Sequence, residues 1–567
     1  MIVTLQRIEA ALQSRGSPFR RGAVVFDPQG PVRAVPLAAL RGASRLLVLA
    51  ACSWFGACGS TSSPPPTTGG GVPAGPVVPA PDTTAWGFFA YTGDLVGGLS
   101  NARWSRVTGN VWPDIEQPPG SGNYNWSVPD ARVGFAQSAG LNVVFVLKAG
   151  NGSAFSEPGC FGAVQAASAA DLPSGRALAS CPIRTEMESA WSRMVTEFVE
   201  RFDGDGNRDM PGLLGNVRVD IEVENEAANR QLWDYGEADR ALAADRYLRL
   251  LDLAYQAKQA AHPETRVILA GLFEPNLLAR CDGQPQGPGC TSLVLQNLAF
   301  SKRILGRPEI FDAVDVHFFV YYHFEPSFID DGFDWVIGQM QGRGYQRPIY
   351  SLEWTGSMML HVAEGYSAEF AAYFPYSAEF PSLQDFQAMY VGLDQPENAF
   401  YRQWFEAEQA KELGKLFTNI LALGVSRLVH VQYSDYRPGA WDNPWWNWQG
   451  VIKYVGGGPV RKPSYYTYNI LSERIFGFTA ARRIEQGNDV RLYEFAFPTR
   501  EPTYVLWTDG AEGALDLSAA ASRPTLRLTP LVTELGATNE PIVRAEQTVP
   551  ATAVPVGDVP VLLEGVQ

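Results

Sequence analysis

The sequence lacks an excess of positive charge. It contains 45 lysine and arginine residues against 60 aspartate and glutamate residues, and its formal net charge at pH 7 is −15. Proteins that bind nucleic acid or an anionic membrane surface present a basic patch to that partner. The composition therefore argues against nucleic acid as a partner and against direct binding to an anionic membrane.

The sequence also lacks the short motifs of several enzyme classes. It has no Gly-x-Ser-x-Gly turn for a serine nucleophile, no glycine-rich loop for phosphate and no His-Glu-x-x-His zinc motif. We therefore predict that its chemistry uses no cofactor and no metal ion.

Cysteine is scarce, and its spacing is not that of a zinc site. The six cysteines fall into three close pairs, and neither of the two later pairs has Cys-x-x-Cys spacing or a histidine cluster beside it. These pairs are Cys160 with Cys181 and Cys281 with Cys290, and each brackets a loop rich in small residues. In an exported protein we expect two local disulfides, with free buried thiols as the alternative.

The N-terminal apolar segment is too short to span a membrane. Residues 41–60 combine a positive flank, a short apolar run and small residues before a cysteine, and the run falls far short of the roughly 20 apolar residues that a span requires. This arrangement resembles a bacterial lipoprotein signal, in which the cysteine after the cleavage site carries a lipid. Cys58 is preferred because it follows the more plausible apolar run. Cys52 is the alternative, because the residues before it match the usual lipoprotein cleavage motif better. The prediction is an exported protein held at the membrane only by a lipid anchor, with an ordinary secretory signal as the alternative.

Composition divides the chain into four segments. Residues 1–58 hold an N-terminal extension and the export signal. Residues 59–84 form a linker rich in serine, threonine, proline and glycine, which cannot bury enough apolar surface to fold. Residues 85–480 alternate between strand and helix patterns, and residues 481–567 contain short alternating runs between turn residues, as in a small β-sandwich domain.

The alternating region contains eight strand-like segments separated by helical patterns. Eight strands alternating with helices is the count of a (β/α)8 TIM barrel, and although doubly wound sheets also alternate, the count favours the barrel. The predicted strands span residues 86–91, 104–112, 141–147, 217–223, 266–272, 310–320, 348–353 and 427–433. We predict a TIM barrel followed by a small C-terminal β-sandwich domain.

The fourth of these strands carries a charged face. Between residues 217 and 226, apolar and ionisable residues alternate, so one face can pack on outer helices while the other looks into a barrel. Asn225 and Glu226 then lie at the C-terminal mouth, where such folds hold their chemistry, and Glu353 ends the seventh strand. Because strict alternation turns Asn225 outward, we expect the strand to end or bulge there.

The order of these motifs resembles the clan A glycoside hydrolases, a superfamily of (β/α)8 retaining enzymes. In that superfamily an Asn-Glu pair ends strand four and a second glutamate ends strand seven; here they are Asn225-Glu226 and Glu353, 127 positions apart. Arg106 on the second strand and His317 on the sixth also resemble the pattern of that superfamily. The start of the final helix, at residues 462–468, is similar to that of β-xylosidase-like members close to family 39.

The resemblance implies a role for each of these residues. Glu226 is the acid/base and Glu353 the nucleophile of a double displacement, in which one carboxylic acid protonates the leaving oxygen and one carboxylate attacks the anomeric carbon. Asn225 holds the sugar 2-hydroxyl, Arg106 keeps Glu353 ionised, and His317 contacts substrate or orients the nucleophile. The resemblance thus predicts a retaining β-glycoside hydrolase that acts on an oligo- or polysaccharide, with a non-catalytic carbohydrate-binding protein and a transglycosylase as alternatives.

Two residues depart from the family's pattern. The family often has tryptophan before the Asn-Glu pair and proline after it, whereas this sequence has Glu224 and Ala227. Glu224 is therefore a rival for the acid role. We interpret Glu222 and Glu224 as interior charges paired with Arg218 or another basic residue.

Aromatic residues follow several predicted strands, where they would border the mouth. Trp354 directly follows the seventh strand, Tyr321 follows the sixth, and Trp441, Trp445 and Trp446 lie in a loop after the eighth. Sugar rings have apolar C–H faces that stack on such side chains, and a tryptophan cluster in a loop is hard to explain as core because loops run on the surface. We predict that these residues bind a carbohydrate substrate, with a loop packed on itself as the alternative.

An acidic stretch before the fourth strand has two interpretations. Asp203, Asp205 and Asp209 place oxygen atoms at alternate positions, as in a calcium loop. Arg208 and Leu214 stand where an EF-hand requires glycine and glutamate, so an Asp/Gly-rich turn is preferred.

Overall fold

The computed structural model of the chain describes most of the sequence from residue 99 onwards and a few residues before it. The described residues are 78–79, 86–89, 99, 101–168, 171–172, 175–287, 290–319, 328–355, 385, 388–390, 392–435, 448–455, 458–487, 489–532 and 546–566. The predicted export signal, with Cys52 and Cys58, lies outside the described residues.

Eight parallel strands close into a barrel, which confirms the prediction from alternating strand and helix patterns. A short strand, β1 (Val78–Pro79), precedes the barrel strands, which are β2 (Trp86–Phe89), β3 (Trp104–Val111), β4 (Asn142–Lys148), β5 (Val219–Val223), β6 (Val267–Phe273), β7 (Ala313–Phe319), β8 (Ile349–Thr355) and β9 (Arg427–His430). Each barrel strand pairs with the next along the chain, and β9 pairs back with β2.

Helices surround the barrel. They are α1 (Trp112–Ile115), α2 (Ser127–Ser138), α3 (Pro158–Ala166), α4 (Glu188–Phe202), α5 (Arg240–Ala261), α6 (Pro275–Gly283), α7 (Ser292–Ile304), α8 (Phe328–Gln341), α9 (Ala399–Ala422) and α10 (Pro463–Ile475). On α4 the buried Trp191, Val195, Phe198 and Phe202 recur every three or four residues and form the apolar stripe that faces the barrel. Within the described part of the chain, no helix combines the length and apolarity needed to cross a membrane.

The interior of the barrel is filled by side chains. Trp104, Ile268, Tyr350 and Leu352 belong to one buried cluster drawn from several strands, as in the layered cores of such barrels. Side chains on the outer faces of the strands, such as Ile221, pack into the larger core between the barrel and its helices.

A buried ion pair closes the N-terminal end of the barrel. Asp220 accepts hydrogen bonds from Arg427 at 2.5 Å and from Arg218 at 3.0 Å. Burial alone would raise the pKa of Asp220, but the two guanidinium groups lower it. The guanidinium carbon of Arg427 also lies 3.4 Å from the ring centroid of Trp104. The charged face of β5 therefore points inward, as its alternation predicts.

The C-terminal region forms the predicted β-sandwich. Its strands follow a hairpin of β10 (Ile452–Val455) and β11 (Gly458–Arg461), and they are β12 (Ala480–Glu485), β13 (Val490–Ala496), β14 (Thr503–Thr508), β15 (Gly513–Leu515), β16 (Thr525–Pro530), β17 (Gln547–Pro550), β18 (Val554–Val556) and β19 (Val561–Gly565). A seven-stranded antiparallel sheet has the order β1-β12-β13-β14-β19-β16-β17, and β15 pairs with β18. Leu492, Leu506 and Leu563 of the large sheet share a core with Val554 of β18.

The first strand of this sheet comes from the predicted linker. Val78 pairs with Ala481 and Pro79 with Ala480, so this part of residues 59–84 is ordered by pairing rather than free of structure. An edge strand tolerates proline because one of its sides makes no ladder hydrogen bonds. The linker prediction fails here because it rested on local composition. The strand forms only by pairing with a partner strand about 400 residues away in sequence.

Both predicted disulfides are present. Cys160 bonds to Cys181 across a sequence separation of 21 residues, and Cys281 bonds to Cys290 across 9 residues. The first closes the segment that contains α3, and the second links the end region of α6 to the residues before α7.

Replacing Cys160 and Cys181 with serine is expected to lower the free energy of unfolding by about 3 kcal/mol, because the cross-link removes loop-closure entropy from the unfolded chain. The Cys281→Ser/Cys290→Ser variant is the matched control, and its shorter loop predicts a loss roughly 0.7 kcal/mol smaller. Urea denaturation of the parent and both variants measures the differences. Equal stabilities in all three proteins would contradict this account of the two bridges.

Candidate active site

The chain turns at the end of β5 and brings Asn225 and Glu226 to the mouth of the barrel. β5 ends at Val223, and Glu224 and Glu226 adopt left-handed backbone conformations with φ values of 65° and 46°. The strand therefore ends where its alternation must break, as the sequence predicts. Asn225 consequently points inward, and its Oδ1 accepts a hydrogen bond of 2.7 Å from Arg106 Nη2.

Glu353 lies opposite Glu226 on β8. One carboxylate oxygen of each glutamate and one ring nitrogen of His317 all lie within 4.8 Å of one another. His317 Nδ1 is 2.9 Å from Glu226 Oε1 and 3.5 Å from Glu353 Oε2. The two side chains are 8% and 13% exposed, respectively, so both reach solvent. The two predicted carboxyl groups thus meet across the mouth with a histidine between them.

Arg106, on β3, links the acidic residues of the mouth. Its Nε and Nη2 donate to the two oxygens of Glu222 at 2.7 and 2.9 Å, and its Nη1 donates to Glu353. Burial alone would lower the pKa of Arg106, but the carboxylates of Glu222 and Glu353 raise it, so the guanidinium remains a cation. Burial raises the pKa of Glu222 to about 7, although Arg106 opposes this shift. Arg106 therefore joins Glu222 and Glu353 through a single guanidinium group.

His317, on β7, is fully buried between acidic groups. Its Nε2 lies 2.9 Å from Asp315 Oδ2, while Asp315 Oδ1 accepts a hydrogen bond of 2.8 Å from the backbone N–H of Leu352. Burial alone would lower the pKa of His317, but Asp315 and Glu353 raise it well above its ordinary value. A Cβ atom on Gly271 of β6 would lie 2.2 Å from His317 Nε2, so this glycine leaves the space that the imidazole occupies.

Gly271→Ala is expected to lower the free energy of unfolding by about 1–3 kcal/mol, because the added methyl group overpacks a fully buried ring. Gly134→Ala on α2 is the control: its Cβ would meet nothing within 4 Å. The control should be neutral or slightly stabilising, because alanine has the higher helix propensity. Denaturant unfolding of both variants provides the comparison, and an unchanged stability of Gly271→Ala would contradict the close approach to His317.

Glu224 lies deeper than Glu226 and faces Lys148 at the end of β4. Its Oε1 accepts a hydrogen bond of 2.6 Å from the backbone N–H of Ala149, and the side chain has no solvent exposure. Burial raises the pKa of Glu224, and the positive charge of Lys148 opposes this shift. Lys148 donates in turn to the carbonyl oxygen of Leu178, in the loop that Cys160 and Cys181 close. The basic partners of Glu222 and Glu224 are therefore Arg106 and Lys148, whereas Arg218 pairs with Asp220.

Trp354 does not lie at the mouth. Its ring is 1% exposed and packs edge-on against His430 with a centroid distance of 4.9 Å, and it lies near Phe417 of α9. Glu353 and Trp354 are neighbours on β8, so they point to opposite faces of the strand. The predicted substrate contact of Trp354 is therefore wrong. Tyr321, Trp441, Trp445 and Trp446 lie outside the described residues.

The site contains residues that the sequence did not single out. Asp315 holds the far side of His317, Gly271 makes room for the ring, and Asn229 Nδ2 donates to Glu226 Oε2 at 3.2 Å. The sequence did contain a signal for Asp315. It lies two positions before His317 on β7, and residues two apart on a strand point to the same face, here the inner one.

Three groups of side chains have the spacing of metal ligands. Two lie in the mouth and share His317, and the third consists of Asp203, Asp205 and Asp209. Arg106 already supplies positive charge to the groups in the mouth. In the third group, both oxygens of Asp209 accept backbone N–H groups, those of Gly204 at 3.1 Å and Gly206 at 2.7 Å. These hydrogen bonds agree with the predicted turn.

Solved structures with a related arrangement include several glycoside hydrolases. A family 39 glycoside hydrolase from Bacteroides cellulosilyticus WH2 is 13% identical with a TM-score of 0.47, and the match covers 86% of this chain and 81% of that one. A glucosidase from Croceicoccus marinus is 12% identical with a TM-score of 0.47, covering 88% of this chain and 98% of that one. A family 44 xyloglucanase from Paenibacillus polymyxa is 9% identical with a TM-score of 0.46, covering 87% and 98%. No family model and no curated protein matches the sequence.

Proposed function

We propose that the protein is a retaining β-glycoside hydrolase that acts on an oligo- or polysaccharide. The observation that carries this proposal is the pair of carboxyl groups at the mouth. One carboxylate oxygen of Glu226 lies within 4.8 Å of one carboxylate oxygen of Glu353. Retaining enzymes hold their two carboxyl groups about 5–5.5 Å apart, whereas inverting enzymes hold them about 6.5–9.5 Å apart to admit a water molecule between them and the sugar. One oxygen of each carboxyl group lying within 4.8 Å of the other is compatible with the closer, retaining spacing.

The first step forms a covalent glycosyl-enzyme. Glu226 donates its proton to the glycosidic oxygen as the bond from that oxygen to the anomeric carbon breaks, and a Glu353 oxygen forms a new bond to that carbon. Arg106 supports this role by donating a hydrogen bond to Glu353, which holds the attacking carboxylate in place. The leaving group departs as a neutral alcohol, and the negative charge has moved from Glu353 to Glu226.

The second step reverses these roles. Glu226 now accepts a proton from water, the water oxygen attacks the anomeric carbon, and Glu353 leaves as a carboxylate. Asn225 would hold the sugar 2-hydroxyl in both steps, a contact that strengthens in the transition state. Its hydrogen bond from Arg106 sets the orientation of the amide for that contact.

We also propose that the protein is exported. Two disulfides favour an oxidising compartment, since the cytosol keeps thiols reduced. The lipoprotein-like signal predicts a lipid on Cys58 or Cys52. Mass spectrometry of the membrane fraction of expressing bacteria would detect the modified N-terminal peptide, and recovery of unlipidated protein in the medium would contradict the anchor.

The proposed activity is tested with the purified protein on a panel of aryl β-glycosides and β-linked glycans. We expect hydrolysis of at least one substrate, with the β-anomer of the product appearing first in ¹H NMR spectra. Glycan binding without turnover would support the non-catalytic alternative. Longer oligosaccharides among the products would identify a transglycosylase, and an α-anomer as the first product would contradict retention.

A further inference from the structure

His317 lies within reach of both carboxyl groups. We propose that Asp315 and His317 form a positioning pair that supplies one imidazolium hydrogen-bond donor to the two glutamates, and that this donor follows the negative charge from Glu353 to Glu226 during the reaction. The inference deepens the proposed function and rests on it. It assigns Asp315 a role that the resemblance to known enzymes does not supply.

The geometry directs both ring nitrogens at acceptors. Asp315 Oδ2 lies 2.9 Å from Nε2, and a proton on Nε2 makes this contact a hydrogen bond that the carboxyl oxygen accepts. Nδ1 is 2.9 Å from Glu226 and 3.5 Å from Glu353. Asp315 is itself held by the backbone N–H of Leu352, which fixes the ring from behind. The ring can therefore exchange Nδ1–H between two acceptors without leaving Asp315.

The charges around the ring favour the imidazolium. The ionisable groups that face it come from four strands and the loop after β5, and they are Asp315, Glu226, Glu222, Glu353 and, through its contacts with these acids, Arg106. Carboxyl groups outnumber the two cations of the mouth, Arg106 and Lys148, so a further positive charge on the ring brings the mouth nearer to neutrality. The raised pKa of His317 agrees with this count, since the acidic neighbours outweigh the cost of burial.

A mobile donor matches the movement of charge in the reaction. Before the first step Glu353 is ionised and Glu226 carries a proton. After it, Glu353 is an uncharged ester and Glu226 is ionised, since its proton has left with the alcohol. A fixed donor to one glutamate would serve only one of these states. A donor between the two stabilises the charged carboxylate in each, with only a small movement of the proton.

The protonation state of His317 is measured by ¹⁵N NMR of histidine-labelled protein, which holds five histidines. The signal lost in His317→Gln identifies the ring. At pH 7 we expect both nitrogens of His317 to carry protons, whereas His430, whose pKa burial lowers to about 3, provides an internal neutral reference. Asp315→Asn should neutralise His317 by pH 7, and Asp220→Asn, a buried acid at the other end of the barrel, should leave it charged. A neutral His317 in the parent protein would overturn the proposal.

Kinetics test whether the donor is shared. With a dinitrophenyl glycoside, kcat measures the hydrolysis of the glycosyl-enzyme. With a phenyl glycoside, whose leaving group is poor, kcat/KM measures the formation of the glycosyl-enzyme. Asp315→Asn should slow both steps by about 10- to 100-fold, the expected loss from one charge-assisted hydrogen bond. A decrease in only one step would overturn the shared donor. Failure of the parent protein to turn over any glycoside would instead contradict the proposed function, and the NMR result would be unaffected.

Discussion

Glu353→Gln is expected to reduce kcat/KM for an aryl β-glycoside by on the order of 10⁵-fold, because an enzyme that loses its nucleophile retains only binding and electrostatic stabilisation. Glutamine preserves the size of the side chain and its contact with Arg106, so the fold should survive. Initial rates on the substrate that the parent protein hydrolyses best measure the effect, with thermal unfolding as a check on structure.

The matched control for this variant is Glu309→Gln. Glu309 pairs with Arg307 on the surface, and its side chain is 59% exposed. Its replacement should leave kcat/KM unchanged. A Glu353→Gln variant that is folded and retains a tenth or more of the parent activity would contradict the assignment of Glu353 as nucleophile.

Glu226→Ala is expected to reduce kcat/KM for a phenyl β-glycoside by about 10²–10⁴-fold, the usual contribution of a general acid. The loss should be much smaller with a dinitrophenyl glycoside, because that leaving group departs without protonation. Added azide should then restore kcat, since a small anion in the vacated space attacks the glycosyl-enzyme without needing a base. The product should be a β-glycosyl azide, which can be identified by NMR.

The neighbouring Glu224 provides the sharpest control. Glu224→Ala also removes a carboxyl group close to the mouth, but Glu224 is fully buried and accepts a hydrogen bond from the backbone of Ala149. We expect that variant to lose stability and to show no azide rescue. Rescue of Glu224→Ala instead of Glu226→Ala would transfer the acid/base role to the rival residue.

The barrel could be predicted because its strands and helices alternate in a regular order. Each strand lies next to its neighbour in sequence, so local patterns decide most of the fold. β1 could not be predicted in this way, because Val78 and Pro79 become a strand only through pairing with residues far along the chain. The sandwich domain was predictable in part. Its longer strands appear in the sequence as alternating runs, whereas its short strands do not.

The site was predictable where position along a strand decides it. Glu226 and Glu353 follow from their places at strand ends, and the contact of Asn225 with Arg106 agrees with the expected break in β5. The predicted substrate contact of Trp354 is wrong because it relied on the nearness of this residue to a strand end, although Glu353 and Trp354 are successive residues on a strand and face opposite ways. The space left by Gly271 depends on a contact between strands, which no local pattern reveals.

The most direct test of the central claim is covalent trapping. The protein is incubated with 2-deoxy-2-fluoro-β-glucosyl and β-xylosyl fluorides, digested and mapped by mass spectrometry. Formation of the glycosyl-enzyme should be faster than its hydrolysis with these compounds, so we predict one added fluoroglycosyl group on the peptide that contains Glu353, and none in Glu353→Gln. Turnover of substrate with a label on another residue, such as Glu226 or Glu222, would contradict the account.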